Sequence, residues 1–199
     1  MSLERDIQFL YEVGTFRFIP RTWRQFLNAD FANDSEHTIR VIWIALTLAR
    51  HENQGDAGKI AKMALVHDLP ETRTGDVHYV SRLYTSRNEE KAAQDIFHDT
   101  SLGSEYVELF REYQAKESIE AKIVKDADIL DQEFEISEQS SKGNKINETF
   151  GPKRQSMLRE KLSTASAKKI WDAIQKANPH DWHDKGVNRF SEGDWKKEA

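Results

Sequence analysis

An all-α fold is predicted by three observations. Apolar residues recur at helical spacing almost from end to end, residues that start helices stand before most of those runs, and no segment reads as a convincing strand. The one extended-looking run, Val77-His78-Tyr79-Val80, is short and isolated. A composition with 32% charged residues and four prolines fits a soluble, helix-rich protein. At 199 residues the chain can bury one continuous core. Residues 1–179 read as a single helical domain. Residues 180–199 read as a polar C-terminal tail with scattered aromatics (Trp182, Phe190, Trp195), either an irregular strap or a mobile end.

The first helix follows from Leu3, Ile7 and Leu10 and stops near Gly14. Phe16 to Arg24 mixes aromatic and basic residues around Pro20 and reads as an ordered loop. Asn33 and Glu36 have capping-box spacing, which starts a helix just before His37 and carries it through Val41, Ala45 and Leu48 to about Glu52. Gly55-Asp56 makes a turn and an N-cap. The helix it opens puts Ile60, Met63, Ala64 and His67 on one face before Pro70 disrupts it. Thr72 to Tyr84, with Gly75-Asp76, reads as a loop with short turns. Further helices are expected at 88–98, 104–115, 118–141 and 153–177, the last broken near Ser163-Thr164. Ser104 and Ser118 serve as N-caps, and Asn178-Pro179 is the terminator.

The absence of cysteine excludes disulfides, thiolate metal sites and cysteine nucleophiles, and fits a reducing cytoplasm. No apolar run approaches a membrane span, and Met1 to Asp6 lacks a signal-peptide pattern. A formal net charge of −5 argues against broad binding of a nucleic-acid polymer.

Chemistry concentrates in Ala64-Leu65-Val66-His67-Asp68-Leu69-Pro70-Glu71. A His-Asp pair at the end of an apolar helix is costly unless something satisfies it, and a divalent metal does so through imidazole nitrogen and carboxylate oxygen. The chain has other such pairs, His98-Asp99, His180-Asp181 and His183-Asp184, but these lie in polar surroundings and read as solvated loops. His37 stands upstream in a similar apolar setting; its alternative is an exposed helix-start residue. Glu71 is either a solvated carboxylate or a general acid or base toward water. Asp126 and Asp128 are two apart, about 200° on a helix, so at most one faces a given centre. Asp126 shares its face with Ile119, Ile123 and Leu130, and periodicity slightly favours it as the inward residue. Arg17, Arg21 and Arg24 flank Trp23, either a basic surface loop or a phosphate-binding group with an aromatic ring for sugar or base. There is no Gly-rich phosphate loop and no serine nucleophile elbow.

Ser35-Glu36-His37, Val66-His67-Asp68 with Glu71, Thr74-Gly75-Asp76 and Val124-Lys125-Asp126-Ala127-Asp128 together resemble the ordered motifs of the HD-domain phosphohydrolase superfamily. The similarity is greatest to the bacterial 5'-deoxynucleotidases and their oxetanocin-like relatives, over roughly residues 5–140. The resemblance implies that 1–179 is an all-α HD-domain bundle with one divalent metal at its centre, held by His37, His67, Asp68 and Asp128. Here it selects Asp128 against the faint preference of periodicity. It also implies that Glu71 assists the water nucleophile, that Asp76 contacts the sugar 3'-hydroxyl, and that Arg21 and Trp23 are the phosphate-contacting and sugar-discriminating residues. Two departures stand out. Thr22 separates Arg21 from Trp23, which adjoin in the nucleotidase pattern, and Val77-His78-Tyr79 replaces the usual proline after Gly75-Asp76.

The expected activity is metal-dependent hydrolysis of (deoxy)ribonucleoside 5'-monophosphates, with Mn, Co, Fe, Ni, Mg or Zn as the ion. Arg17 and Arg21 would supply phosphate contacts, and a homodimer is in keeping with relatives. A phosphodiesterase or nucleoside triphosphohydrolase on the same scaffold is the alternative enzyme. A noncatalytic, metal-containing helical regulatory protein is the alternative from another class, and Glu71 and Asp76 argue against it.

Overall fold

A computed structural model describes residues 2–25 and 30–185. Helices carry the architecture, as the periodicity predicts: α1 (Leu3–Thr15), α2 (Asp34–Glu52), α3 (Ala57–Val66), α4 (Glu71–Thr74), α5 (Glu89–Phe97), α6 (Gly103–Ala115), α7 (Ile119–Ser141), α8 (Ile146–Lys161), α9 (Ala165–Ile174) and α10 (Asp181–Asp184). Among the described residues the sole extended pairing is an isolated antiparallel bridge between Pro20 and Asn33. None of their helices is long and apolar enough to cross a membrane.

α7 is the axis of the bundle, packed against α2, α3, α6, α8 and α9. Its buried residues fall on every face, from Ala121 and Ile123 through Leu130 to Ile136. One core joins α2, α3, α5, α6, α7 and α9, with Leu48, Ile60, Phe97, Phe110, Leu130 and Trp171 fully enclosed.

The caps explain where helices begin. The Asn33 side chain accepts from the Glu36 N–H at 3.0 Å while the Glu36 carboxylate accepts from the Asn33 N–H at 2.9 Å, the reciprocal box read from the sequence. Asp56 caps α3 and Ser118 caps α7, also as expected. Ser104 does not cap α6. The helix begins one residue before it, and the Thr100 hydroxyl accepts from the Gly103 N–H instead.

Two other boundaries move. α3 ends at Val66, and Pro70 directly precedes α4, where its fixed φ of −57° suits a helix entry. The segment expected at 153–177 is two helices. α8 starts earlier because Ile146 and Phe150 pack with Phe31 and Ile136 in a small satellite core, and it continues through Pro152. In the expected C-terminal tail, residues 181–184 form a helical turn; Phe190, Trp195 and the rest of 186–199 lie outside the described residues.

Candidate metal centre

Three chain segments meet at one point. His37 projects from the first turns of α2, His67 and Asp68 follow the end of α3, and Asp128 comes from the middle of α7. One ligand atom from each lies within 4.8 Å of all the others. His37 Nε2 is 3.4 Å from Asp68 Oδ2, Asp128 Oδ1 and His67 Nε2 alike, and His67 Nε2 is 3.2 Å from Asp68 Oδ2.

The outer nitrogens are already engaged. His67 Nδ1 faces the Ala64 carbonyl at 2.7 Å and so donates to it, leaving Nε2 for the centre. His37 Nδ1 faces Asp131 Oδ2. Two imidazole Nε2 atoms and two carboxylates thus converge in a buried space where a cation satisfies all four. Burial pulls the His37 pKa down, but hydrogen bonds to Asp128, Asp131 and Asp68 outweigh it and hold it well above the ordinary imidazole range. Burial likewise opposes ionisation of Asp68 and Asp128, yet His67 and His37 beside the first and Lys125 beside the second keep both below the carboxylate range. Lys125 Nζ lies 2.6 Å from Asp128 Oδ2, the oxygen turned away from His37.

Asp126 points elsewhere. It is fully buried, as periodicity indicates, but its carboxylate accepts from the Ser163 and Thr164 N–H groups at 2.8 Å and from the Thr164 hydroxyl at 2.7 Å. It therefore ties down the break between α8 and α9.

A cleft of about 510 Å³ opens beside the four residues and is lined by Arg21, Trp23, Glu71, Asp76, Lys125 and Tyr79 among others. The backbone bond from Asp34 N–H to the Ile19 carbonyl, 3.0 Å, draws the segment after α1 against the start of α2 and brings Arg21 to the cleft floor. Arg21 is buried, with Nη1 3.3 Å from Asp68, 3.6 Å from Asp34 and 3.9 Å from Asp76. Asp76 Oδ2 in turn accepts from the Thr22 N–H at 2.9 Å, so the residue interposed between Arg21 and Trp23 anchors that turn. Trp23 packs edge-on to Phe150 with ring centroids 6.3 Å apart, and the Arg154 guanidinium lies over its ring at 5.7 Å.

Arg17 is not brought to the cleft, contrary to its expected phosphate contact. The short turn Phe16–Phe18 buries Phe16 and turns Arg17 outward over the Phe18 ring. Arg24 is also spent elsewhere, on the Phe31 carbonyl at 2.7 Å.

Beside the first cluster, oxygens of Asp34, Glu71 and Asp76 also lie within 4.8 Å of one another. Asp34 is fully buried and receives no hydrogen bond on either oxygen; burial pushes its pKa up to about 7, against the pull of Arg21. Glu71 is buried at the start of α4, and Oε1 accepts from Arg87 Nη1 at 2.9 Å. Burial and then the charges of Asp68, Asp76 and Asp34 push the Glu71 pKa up to about 10.

A sequence profile of the HD domain matches residues 13–171. The chain belongs to the HD-domain family. Among its HD-domain relatives, the 5'-deoxynucleotidase HDDC2 of Danio rerio is 32% identical over 157 residues, 74% of this chain and 78% of the relative. A 5'-deoxynucleotidase of Erwinia tasmaniensis is 33% identical over 150 residues, 68% of this chain and 75% of that one. A conserved hypothetical protein of Pyrococcus furiosus has a similar structure, with a TM-score of 0.71 at 27% identity over 86% of this chain and 99% of its own.

Within this HD-domain bundle several neighbours of the site escape sequence reading. Asp34, Arg87 and Asp131 look like ordinary solvated charges in a one-dimensional pattern, and the burial of the two aspartates and the half-burial of Arg87 are decided by long-range packing. Tyr113 is buried on α6 with its ring edge-on to His67, centroids 5.5 Å apart, and its spacing marks it only as core. The pairs His98-Asp99 and His180 to Asp184 lie on the exposed surface, apart from the centre.

Proposed function

We propose that this chain hydrolyses nucleoside 5'-monophosphates to nucleoside and phosphate, using one divalent ion held by His37, His67, Asp68 and Asp128. The observation that carries this reading is the convergence of those four ligand atoms at the floor of a cleft that also holds Arg21, Glu71 and Asp76. The relatives named as 5'-deoxynucleotidases support the same substrate class and favour the deoxy forms. When bound, the ion supplies Lewis acidity toward the phosphate and lowers the pKa of water. The nitrogen–oxygen donor set accommodates Mn, Co, Fe, Ni, Mg or Zn.

The residues divide the work. Arg21, buried among Asp68, Asp34 and Asp76, offers its guanidinium to the phosphate. Glu71, with Oε2 free of hydrogen bonds and a raised proton affinity, is placed to take a proton from the attacking water. Asp76 accepts from the sugar hydroxyl, and Trp23 bounds the sugar. The cleft is of ordinary size for a small-molecule site, which fits a mononucleotide and no polymer.

The finer expectations belong to the same reading. We place the protein in the cytoplasm, as the lack of cysteine favours, with 1–179 acting as one HD domain and 180–199 as its tail. Self-association as a homodimer would cover exposed apolar residues of α1 and α2, including Leu10, Tyr11, Ile39 and Trp43; sedimentation of the purified protein tests it.

Phosphate release from ribo- and deoxyribonucleoside 5'-monophosphates, diesters and triphosphates, each with the six ions, tests the function. Monophosphates are expected to be hydrolysed, and Arg21→Ala to raise KM for them. Metal-loaded protein that ignores every monophosphate yet cleaves diesters or triphosphates overturns the substrate assignment.

A further inference from the structure

Asp131 is not among the four converging residues, yet only 1% of it is exposed. It lies one turn beyond Asp128 on α7, facing α2. Both oxygens are used: Oδ2 faces His37 Nδ1, and Oδ1 accepts from Arg40 Nε. Arg40 Nη1 then reaches Glu138 Oε1 at 2.7 Å, so His37, Asp131, Arg40 and Glu138 form one continuous chain that crosses between α2 and α7. A carboxylate paired with a guanidinium has no proton to give, so His37 Nδ1 is the donor in this contact. Nε2 is then the nitrogen left to face Asp68, Asp128 and His67.

We propose that Asp131 is a positioning residue for His37, aligned by Arg40, and that it fixes the tautomer and ring plane with which His37 meets a divalent cation. The Ala64 carbonyl does the same for His67, but that acceptor is backbone and cannot be removed by substitution. Asp131 is a side chain through which the geometry of His37 can be tuned without replacing a ligand. Outer partners of this kind typically contribute 10–100-fold to metal affinity.

The proposal rests on the four-ligand reading above, and the test separates the two. Mn²⁺ is titrated into metal-free wild type, Asp131→Ala, Asp131→Asn, Arg40→Ala and His37→Ala, following the spin-resonance signal of free Mn²⁺, with circular dichroism as the check on folding. Imidazole ¹⁵N shifts of His37, read at a pH high enough to leave one proton on the ring, report which nitrogen carries it. Asp131→Ala is expected to weaken Mn²⁺ binding about 10–100-fold and to lose the uniform Nδ1–H tautomer. Asp131→Asn, whose amide oxygen still accepts from Nδ1, should lose less, and Arg40→Ala should weaken binding with the ligands intact. Folded Asp131→Ala that binds Mn²⁺ as wild type does, with the Nδ1–H tautomer retained, overturns the proposal. Should that variant not fold, unchanged affinity in both Asp131→Asn and Arg40→Ala overturns it. Unchanged affinity in His37→Ala removes the ligand reading itself, whereas loss there with none in the Asp131 and Arg40 variants removes the positioning role alone.

Discussion

Glu71 is buried among like charges, which raises its affinity for a proton, with Arg87 as its hydrogen-bonding partner. A cation that offsets the neighbouring negative charge lowers that proton affinity and frees the carboxylate to accept a proton, so Glu71→Ala is expected to retain metal and lose on the order of 10²–10⁴ in kcat, measured by phosphate release and elemental analysis on the same sample. Asp34 predicts a pH effect on stability. Its pKa is raised from 3.8 to about 7 in the fold, so between those values the folded chain binds more protons than the unfolded one. Its contribution is fully present below about pH 4 and is lost as pH rises through 7. Thermal midpoints of metal-free protein from pH 4 to 7 should fall more steeply for wild type than for Asp34→Asn, and parallel curves would exclude the effect. Asp126 and Asp128 separate burial from function. Asp128→Ala should lose metal, while Asp126→Ala should keep it and lose about 2–4 kcal/mol of stability through three broken bonds to a carboxylate. Periodicity registers that Asp126 is inside, but it cannot tell which neighbour a buried side chain of a central helix meets. The resemblance to HD-domain motifs separates the two because it carries position as well as pattern.

At the scale of elements, the site depends on how α3 gives way to α4. Pro70 starts the short helix and Gly75 ends it with φ of 72° and ψ of 152°, a conformation that side-chain-bearing residues avoid. The Gly75 N–H closes onto the Glu71 carbonyl at 2.7 Å, which leaves Asp76 directed at Arg21 and the Thr22 N–H. A Cβ at position 75 meets nothing within 4 Å, so the cost of Gly75→Ala is backbone strain alone. That variant should lose about 1–3 kcal/mol and raise KM more than it lowers kcat; a KM equal to that of wild type would mean that Asp76 does not need this turn. Caps and apolar spacing make α1, α2, α5, α6 and α7 legible in the sequence to within a residue or two. The start of α8 is not legible, because Ile146 and Phe150 acquire their apolar partners only from Phe31 and Ile136.

Over the whole molecule, the motif residues of the HD domain end at Asp128, but the match to the domain runs on to residue 171 and the core runs on with it. Trp171 of α9 is 1% exposed, Leu162 is buried, and the loop between α8 and α9 hangs on Asp126. A chain cut after Ser141 keeps every proposed metal and catalytic residue, yet it should lose cooperative thermal unfolding and Mn²⁺ uptake. A truncated protein that melts as wild type does would show that α8 and α9 are accessory. The contact between His37 and Asp131 also bears on the birth of the protein, since the two stand 94 residues apart. At a synthesis rate of about 5–20 residues per second, α2 waits on the order of 5–20 s for α7 to emerge. Through that interval the apolar stripe of Val41, Ala45 and Leu48 has α3 beside it and no axis to close over it. The nascent chain therefore acquires its sealed interior and its capacity to hold a cation only late in synthesis, once α7 and then α9 have cleared the ribosome.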